Sequence, residues 1–323
     1  MEISKSDLLT AQQKLKTLIH NTPVLSSSAL NNLWGVDLYF KCENFQKTGS
    51  FKARGASNAL LKLSTEEKQK GVATHSSGNH GQALAWAAQR FGIKCWVVMP
   101  ENSPAIKIAA VKSYGAEVHL CPANLPAREA GLKAVQERTG ALFIPPYNHR
   151  DIIIGQSTAT AELLAEQPDL DAIFAPVGGG GLLAGTALSA HYFSKKAKVF
   201  AGEPAEADDA YRSFYSGTLV EEHEPNTIAD GLRTTLGKLN FPIILRHVTA
   251  IYTCEEKEII AAMRLVYERL KIVIEPSCAV PLACLINNAA AFKGQKVGII
   301  LSGGNVDLGK LPFLVHWKSD DQT

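Results

Sequence analysis

Short runs of β-branched and other apolar residues alternate with longer helical patterns along most of the chain. The runs predict strands at Asp37–Lys41, Gly71–Thr74, Cys95–Met99, Glu117–Leu120, Leu142–Ile144, Ala172–Val177, Lys198–Gly202 and Lys296–Ser302. Between them, Lys52–Leu63, Gly81–Phe91, Ala105–Tyr114 and Glu256–Leu270 carry helical pattern. The opening residues, MEISKSDLLTAQQKLKTLIH, read as an amphipathic surface helix. Strands that are apolar on both faces and separated by helices predict an α/β protein with mainly parallel sheets. One Pro-rich stretch, Phe143–Arg150 (FIPPYNHR), interrupts the pattern midway and is a candidate crossing between two domains.

Composition narrows the function classes. Of 323 residues, 46% are hydrophobic and 20% charged, with a net charge of +2 spread among interspersed acids and bases. Such a balance calls for neither a nucleic-acid nor an anionic-membrane partner. No apolar run reaches the length of a membrane span, and the mixed-charge start is no signal peptide. The six cysteines (Cys42, Cys95, Cys121, Cys254, Cys278, Cys284) form no CxxC pair. Buried reduced thiols and a cytoplasmic location are the expectation.

Four glycine- or hydroxyl-rich segments carry candidate chemistry. In Gln46–Gly55 (QKTGSFKARG), Lys52 opens a helix, where the macrodipole disfavours its charge. An amine that must attack a carbonyl gains from that loss, although a solvated lysine fits the same pattern. Thr74–Gln82 (THSSGNHGQ) gathers hydroxyls and N–H groups at a helix start, suited to a carboxylate or phosphate, or simply to capping. Val177–Gly185 (VGGGGLLAG) follows an apolar strand with four glycines, more than a plain turn needs, which points to backbone binding of an anion. Leu301–Leu308 (LSGGNVDL) closes another strand at the edge where open α/β sheets bind ligands.

Two alternatives attach to these segments. Gly179, Gly181 and Ala184 fit G-x-G-x-x-A, with Glu203 ending the next strand, as in a dinucleotide fingerprint; Pro204 directly after Glu203 weakens that fit. The acidic stretch Glu203–Asp209 (EPAEADD) suits Mg²⁺ or Ca²⁺, or a solvated turn.

Taken together and in order, SFKARGA, SSGNHGQAL, GGGGLLAG and SGGNVDL resemble the serine racemase and serine/threonine dehydratase family, pyridoxal-phosphate enzymes of fold type II. The likeness runs from about His20 to Leu308. It implies a two-domain α/β fold, each domain a mostly parallel sheet flanked by helices. Residues 1–70 and 149–323 would form a large cofactor-binding domain and 71–148 a small mobile one. It further implies that Lys52 forms the internal aldimine and that Phe51 packs against the ring. Asn79 would bond the cofactor's 3′-oxygen, Gly178, Gly179, Gly180, Gly181 and Leu182 cradle its phosphate, and Ser302 faces the pyridine nitrogen. Ser76, Ser77, Asn79 and His80 would receive the substrate carboxylate, assisted by Arg128, with Thr234 near the substrate. The acidic stretch resembles the divalent-metal loop of the racemase branch, which would use Glu203, the carbonyl of Ala207, and Asp209 to hold Mg²⁺, Ca²⁺ or Mn²⁺. Ser27, Ser28, Lys47, Thr48, Gln82 and Tyr114 match positions where racemases bind a nucleotide effector at a homodimer interface.

The implied reaction is loss of water and ammonia from a β-hydroxy amino acid through an aminoacrylate. Threonine would give 2-oxobutanoate and serine pyruvate. Ser77 stands where many dehydratases carry alanine and where racemases place the base for the opposite face of Cα. Dehydration of threonine or serine is thus the expected main reaction, with serine racemase or 3-hydroxyaspartate dehydratase as alternatives. The chain stops soon after its last motif, so a C-terminal feedback domain is not expected.

Overall fold

The computed structural model describes residues 2–76, 78–103 and 105–313. Their strands are β1 (Val24–Leu25), β2 (Asp37–Cys42), β3 (Val72–His75), β4 (Cys95–Pro100), β5 (Glu117–Cys121), β6 (Leu142–Phe143), β7 (Ala172–Pro176), β8 (Lys198–Pro204), β9 (Ala250–Cys254) and β10 (Lys296–Leu301). They form two sheets, ordered β1-β2-β10-β7-β8-β9 and β5-β4-β3-β6. Every pairing is parallel except β1 with β2. The fold is therefore α/β with helices covering both sheets, as the alternation of patterns implies.

Side-chain alternation explains why these runs are apolar throughout. Along β7, Ala172 and Phe174 join one core while Ile173 and Ala175 join another across the sheet. Val297 and Ile299 of β10 likewise face one core and Ile300 the other. A strand covered on both sides cannot alternate with polar residues. In the first core Phe174 stacks on Phe200 at 5.1 Å, and the Phe292 edge meets both rings. The small sheet repeats the scheme, with Val72 and Val97 on one face and Ala73, Trp96 and Val98 on the other.

The two strands that the pattern misses have identifiable reasons. β1 spans two residues, and β9 (AIYTC) mixes apolar and polar side chains at the sheet's edge. All six cysteines are buried and reduced. The opening helix, Lys5–Leu15, buries Leu8, Ala11 and Leu15 and closes a capping box between Ser4 and Asp7. No helix among the described residues is long and apolar enough to cross a membrane.

What this topology positions is decisive for the site. β2, β10 and β7 are neighbours, and the segments leaving their C-terminal ends carry Lys52, Ser302 and the glycine run. Ligands bind at that edge in open α/β sheets.

Candidate active site

Lys52 begins the helix Lys52–Leu61, whose start is held by Phe51 N–H donating to the Ser302 carbonyl at 3.0 Å. Its half-buried side chain places Nζ 5.0 Å from the Phe51 ring centre, donating to the Pro146 carbonyl at 2.8 Å. Burial pushes the amine down to about 8, against the pull of the Glu275 carboxylate. A lysine so placed has a much larger neutral fraction near neutrality than a solvated one.

The glycine run turns β7 into the helix Gly181–Phe193. Gly180 has φ +83°, a conformation that only glycine adopts freely. A Cβ on Gly178 would come within 2.9 Å of Leu232 Cα, and one on Gly179 would overlap the Tyr147 ring. The Gly179 carbonyl is turned back into the protein, accepting from Gly237 N–H at 3.1 Å and Asn240 Nδ2 at 2.5 Å. Leu182 is buried in the first turn of the helix. A side-chain-free cradle at a helix N-terminus fits a phosphate ester.

The third wall follows β3. Ser76 Oγ accepts from Gly78 N–H at 3.3 Å, and the helix Asn79–Phe91 starts immediately after. Ser77 lies outside the described residues. The Asn79 amide is fixed at both ends, with Nδ2 donating to Glu275 Oε1 at 2.8 Å and Oδ1 accepting from Asn305 Nδ2 at 2.9 Å. His80 is turned inward, its Nε2 2.9 Å from the Ile144 carbonyl. Burial pushes its imidazole down to about 3, so it is neutral, and what it can offer an incoming carboxylate is its backbone N–H.

Across the cleft, Arg128 is half-buried and its Nε, shielded from solvent, has no hydrogen-bond partner. Its charge acts on both His75 and Tyr147, which marks it as their neighbour. Burial raises the Tyr147 phenol, and its hydrogen bond with the exposed Thr234 partly offsets this. A cavity of about 370 Å³ lined by His191, Lys195 and His247 lies elsewhere and contains none of these groups.

Three residues here escape motif reading. Glu275 caps the helix Pro276–Asn287, is 4% exposed, and is pushed up to about 7 by burial and by the nearby Asp230. Its signal in the sequence is an acid directly before a proline, a helix-start pattern. Tyr147 and the Pro146 carbonyl come from the FIPPYNHR stretch, which composition marks only as a break.

The acidic stretch is not a solvated turn. Glu203 ends β8 fully buried and accepts from Ala210 N–H at 3.0 Å and Tyr211 N–H at 2.7 Å. Those bonds tie it to the start of the helix Asp209–Ser216, and its full burial leaves no room for a ribose, so the dinucleotide fingerprint fails. Asp209 is also fully buried; one oxygen accepts from Leu236 N–H at 3.0 Å and the other has no partner. Burial raises both carboxyls, Asp209 to about 7, and the Asp209 charge further disfavours that of Glu203. Ala207 is buried in the turn between them. Two interior acids, one of them with an oxygen that no protein group satisfies, fit a bound divalent ion.

Of the remaining matched positions, Lys47 lines a smaller cavity of about 250 Å³ together with His20, Trp86 and Arg90. Thr48 beside it has φ +60°, rare for a β-branched residue. Gln82 is buried in its helix, Ser27 caps the helix opened by Ser28, and Tyr114 follows the helix Ala105–Ser113. None of these four lines that cavity.

A family model described as pyridoxal-phosphate dependent enzyme matches residues 15–303. Serine racemase of Dictyostelium discoideum is 50% identical over 319 residues, covering 97% of this chain and 98% of that protein. A crystal structure of serine racemase from the same organism matches with a TM-score of 0.90 over 95% of this chain and 99% of that one. The β-hydroxyaspartate dehydratase of Paracoccus denitrificans is 46% identical over 307 residues, covering 95% and 98% of the two chains. A crystal structure of threonine deaminase from T.th., 43% identical, matches with a TM-score of 0.90 over 94% and 99%.

Proposed function

The chain belongs to the pyridoxal-phosphate dependent enzyme family, and from that premise we propose that it is an ammonia-lyase of 3-hydroxyaspartate and serine that also racemises serine. The observation that carries the substrate choice is Arg128. The helix start at Gly78 and Asn79, with the Ser76 hydroxyl before it, offers N–H groups and a hydroxyl sufficient for one carboxylate. A half-buried guanidinium whose Nε has no protein partner suits a second carboxylate, which 3-hydroxyaspartate has and threonine lacks. The names of the relatives support this reading more than they support threonine as the main substrate.

When bound, pyridoxal phosphate supplies an aldehyde for the substrate amine and a ring that withdraws the electrons left at Cα. The chain's own residues supply the rest. Gly178–Leu182 would hold the phosphate by backbone N–H groups. Lys52, its amine eased toward neutrality by burial, would be the point of covalent attachment and the base for the Cα proton. Phe51 would pack beside the ring, Asn79 would hold its oxygen, and Ser302 would offer its nitrogen a neutral hydroxyl, which does not force protonation. Departure of the β-hydroxyl as water, followed by hydrolysis, releases ammonia and a 2-oxo acid. Ser77 would return a proton to Cα for racemisation. The unit containing Gly71–Asn148 closes over the substrate, with Thr234 on the facing loop. A divalent ion at Glu203, Asp209 and the Ala207 carbonyl, Mg²⁺, Ca²⁺ or Mn²⁺, steadies that side. By its likeness to the racemases the protein would work as a homodimer, with Lys47 at the smaller cavity and Thr48 next to it in the chain as the contacts for a nucleotide effector.

The test is kcat/KM for 3-hydroxyaspartate, serine and threonine in the protein and in Arg128→Gln. We expect a loss of more than about 100-fold for 3-hydroxyaspartate and less than about tenfold for the other two, the scale of one charge-assisted contact. Equal losses, or a native preference for threonine, would overturn the substrate assignment. Ser77→Ala separates the two reactions: racemisation should vanish while L-serine elimination persists.

A further inference from the structure

Next to the acidic loop, one side chain has no role in anything described so far. His223 lies in the irregular stretch after the helix Asp209–Ser216, with its side chain only 7% exposed. Neither of its ring nitrogens has a hydrogen-bond partner. Its Nε2 sits 3.4 Å from Asp209 Oδ1, the one oxygen of that fully buried carboxylate that also has no partner. The stretch is pinned on both sides of His223, to the helix by Val220 N–H on Ser213 Oγ at 2.9 Å and to the acidic loop by Asn226 N–H on the Glu206 carbonyl at 2.9 Å. The imidazole is thus held in place, aimed at the acid, without the alignment of a hydrogen bond.

We propose that His223 supplies a nitrogen ligand to the divalent cation at Asp209, making the site a mixed nitrogen–oxygen one that selects first-row transition ions over Mg²⁺ and Ca²⁺. The proposal rests on the reading of the Glu203–Asp209 loop as a cation site. Nitrogen and oxygen ligands each about 2.1 Å from one ion lie roughly 3.0–3.4 Å apart in octahedral to tetrahedral geometry. The 3.4 Å between His223 and Asp209 falls at the upper end of that window, too long for a good hydrogen bond. Among the described residues no three His, Cys, Asp or Glu side chains converge enough to hold an ion unaided. His223 and Asp209 are therefore the two side-chain ligands, the Ala207 carbonyl and water complete the set, and Glu203 meets the ion through one of those waters. Hard Mg²⁺ and Ca²⁺ favour all-oxygen shells, whereas imidazole favours the transition series.

The experiment uses the holoprotein stripped of divalent ions, titrated calorimetrically with MgCl₂, CaCl₂, MnCl₂ and CoCl₂. We expect Co²⁺ to bind at least tenfold tighter than Mg²⁺. His223→Gln should weaken Co²⁺ by at least tenfold while leaving Mg²⁺ within about twofold, and Asp209→Asn should weaken all four. Spin-echo spectra of the Mn²⁺-loaded native protein should show imidazole ¹⁴N coupling, a readout that does not depend on the variant folding. Unchanged Co²⁺ affinity in His223→Gln, or no nitrogen coupling, overturns the ligand role of His223 alone. Ion binding that survives Asp209→Asn overturns the cation site itself.

Discussion

Lys52 and Arg54 leave one helix two positions apart and reach differently built interiors. On a helix two positions are about 200° apart, so the pair cannot share an environment. Arg54 is fully buried, and its Nε, Nη1 and Nη2 all find acceptors: Glu43 at 2.6 and 2.8 Å, Glu162 at 2.7 Å twice, and Thr158 at 3.1 Å. Lys41 adds a second cation, 2.7 Å from Glu162. Although burial alone would raise it, the Arg54 guanidinium holds the Glu43 carboxyl below its ordinary 4.5. Lys52 has one carbonyl for company, and its charge is disfavoured. Burial with full pairing fixes a structure, and burial without it leaves a group ready to react.

The largest expected effect tests the reactive side. Lys52→Ala should abolish the visible cofactor band and lower turnover by roughly a thousandfold or more, with the fold intact by circular dichroism. Full turnover in that variant would erase the contrast. Next comes the paired side. Arg54→Met leaves Glu43 buried beside too little positive charge and should cost about 3–5 kcal/mol in urea unfolding, with catalysis in the surviving folded fraction little changed. Because Glu43 has a lowered pKa, its stabilisation is present above its ordinary 4.5 and is lost as pH falls through its folded value. The native protein and the variant should therefore converge in acid.

Glu275 sharpens the comparison as a buried acid of the reactive kind. Its carboxyl rises from 4.5 to about 7, so the folded state binds more protons between those values and stability falls as pH rises through that window. The rise corresponds to roughly 3 kcal/mol. Glu275→Gln, which can still accept from Asn79, should remove the slope and stabilise the cofactor-free protein above pH 7. An unchanged slope would mean the carboxylate is better compensated than its contacts indicate. The smallest effect belongs to the outside of the cleft. Lys107 and Asp230 meet at 2.6 Å, with Asp230 nearly half exposed, and Lys107→Ala should change stability by about 1 kcal/mol or less.

Much of the fold was legible because parallel strands buried on both faces must be apolar in unbroken runs, and β7, β4 and β10 are. The parts of the site made of contiguous motifs, Lys52, the glycine run and Ser302, were legible for a similar reason: backbone cradles need particular residues at fixed spacing. What escaped is assembled from distant pieces. Asn79 and Glu275 are 196 positions apart, and Lys52 and Pro146 are 94. A carbonyl that holds an amine can belong to any residue and leaves no mark in composition. Tyr147 over Gly179 and His223 beside Asp209 are pairings of the same kind, visible only once the sheets bring them together.

The place of β10 has a consequence for how the protein is made. It is the last of the described strands to leave the ribosome, yet it is hydrogen-bonded between β2 and β7. The four-stranded sheet has all its strands once Phe143 has emerged, whereas the six-stranded one stays split down its middle until translation passes Leu301. A nascent chain stalled before that point has Lys52 after β2 and the glycine run after β7, with no strand yet between the two. The arrival of β10 therefore joins the two halves of the cleft, late in synthesis and in a single event.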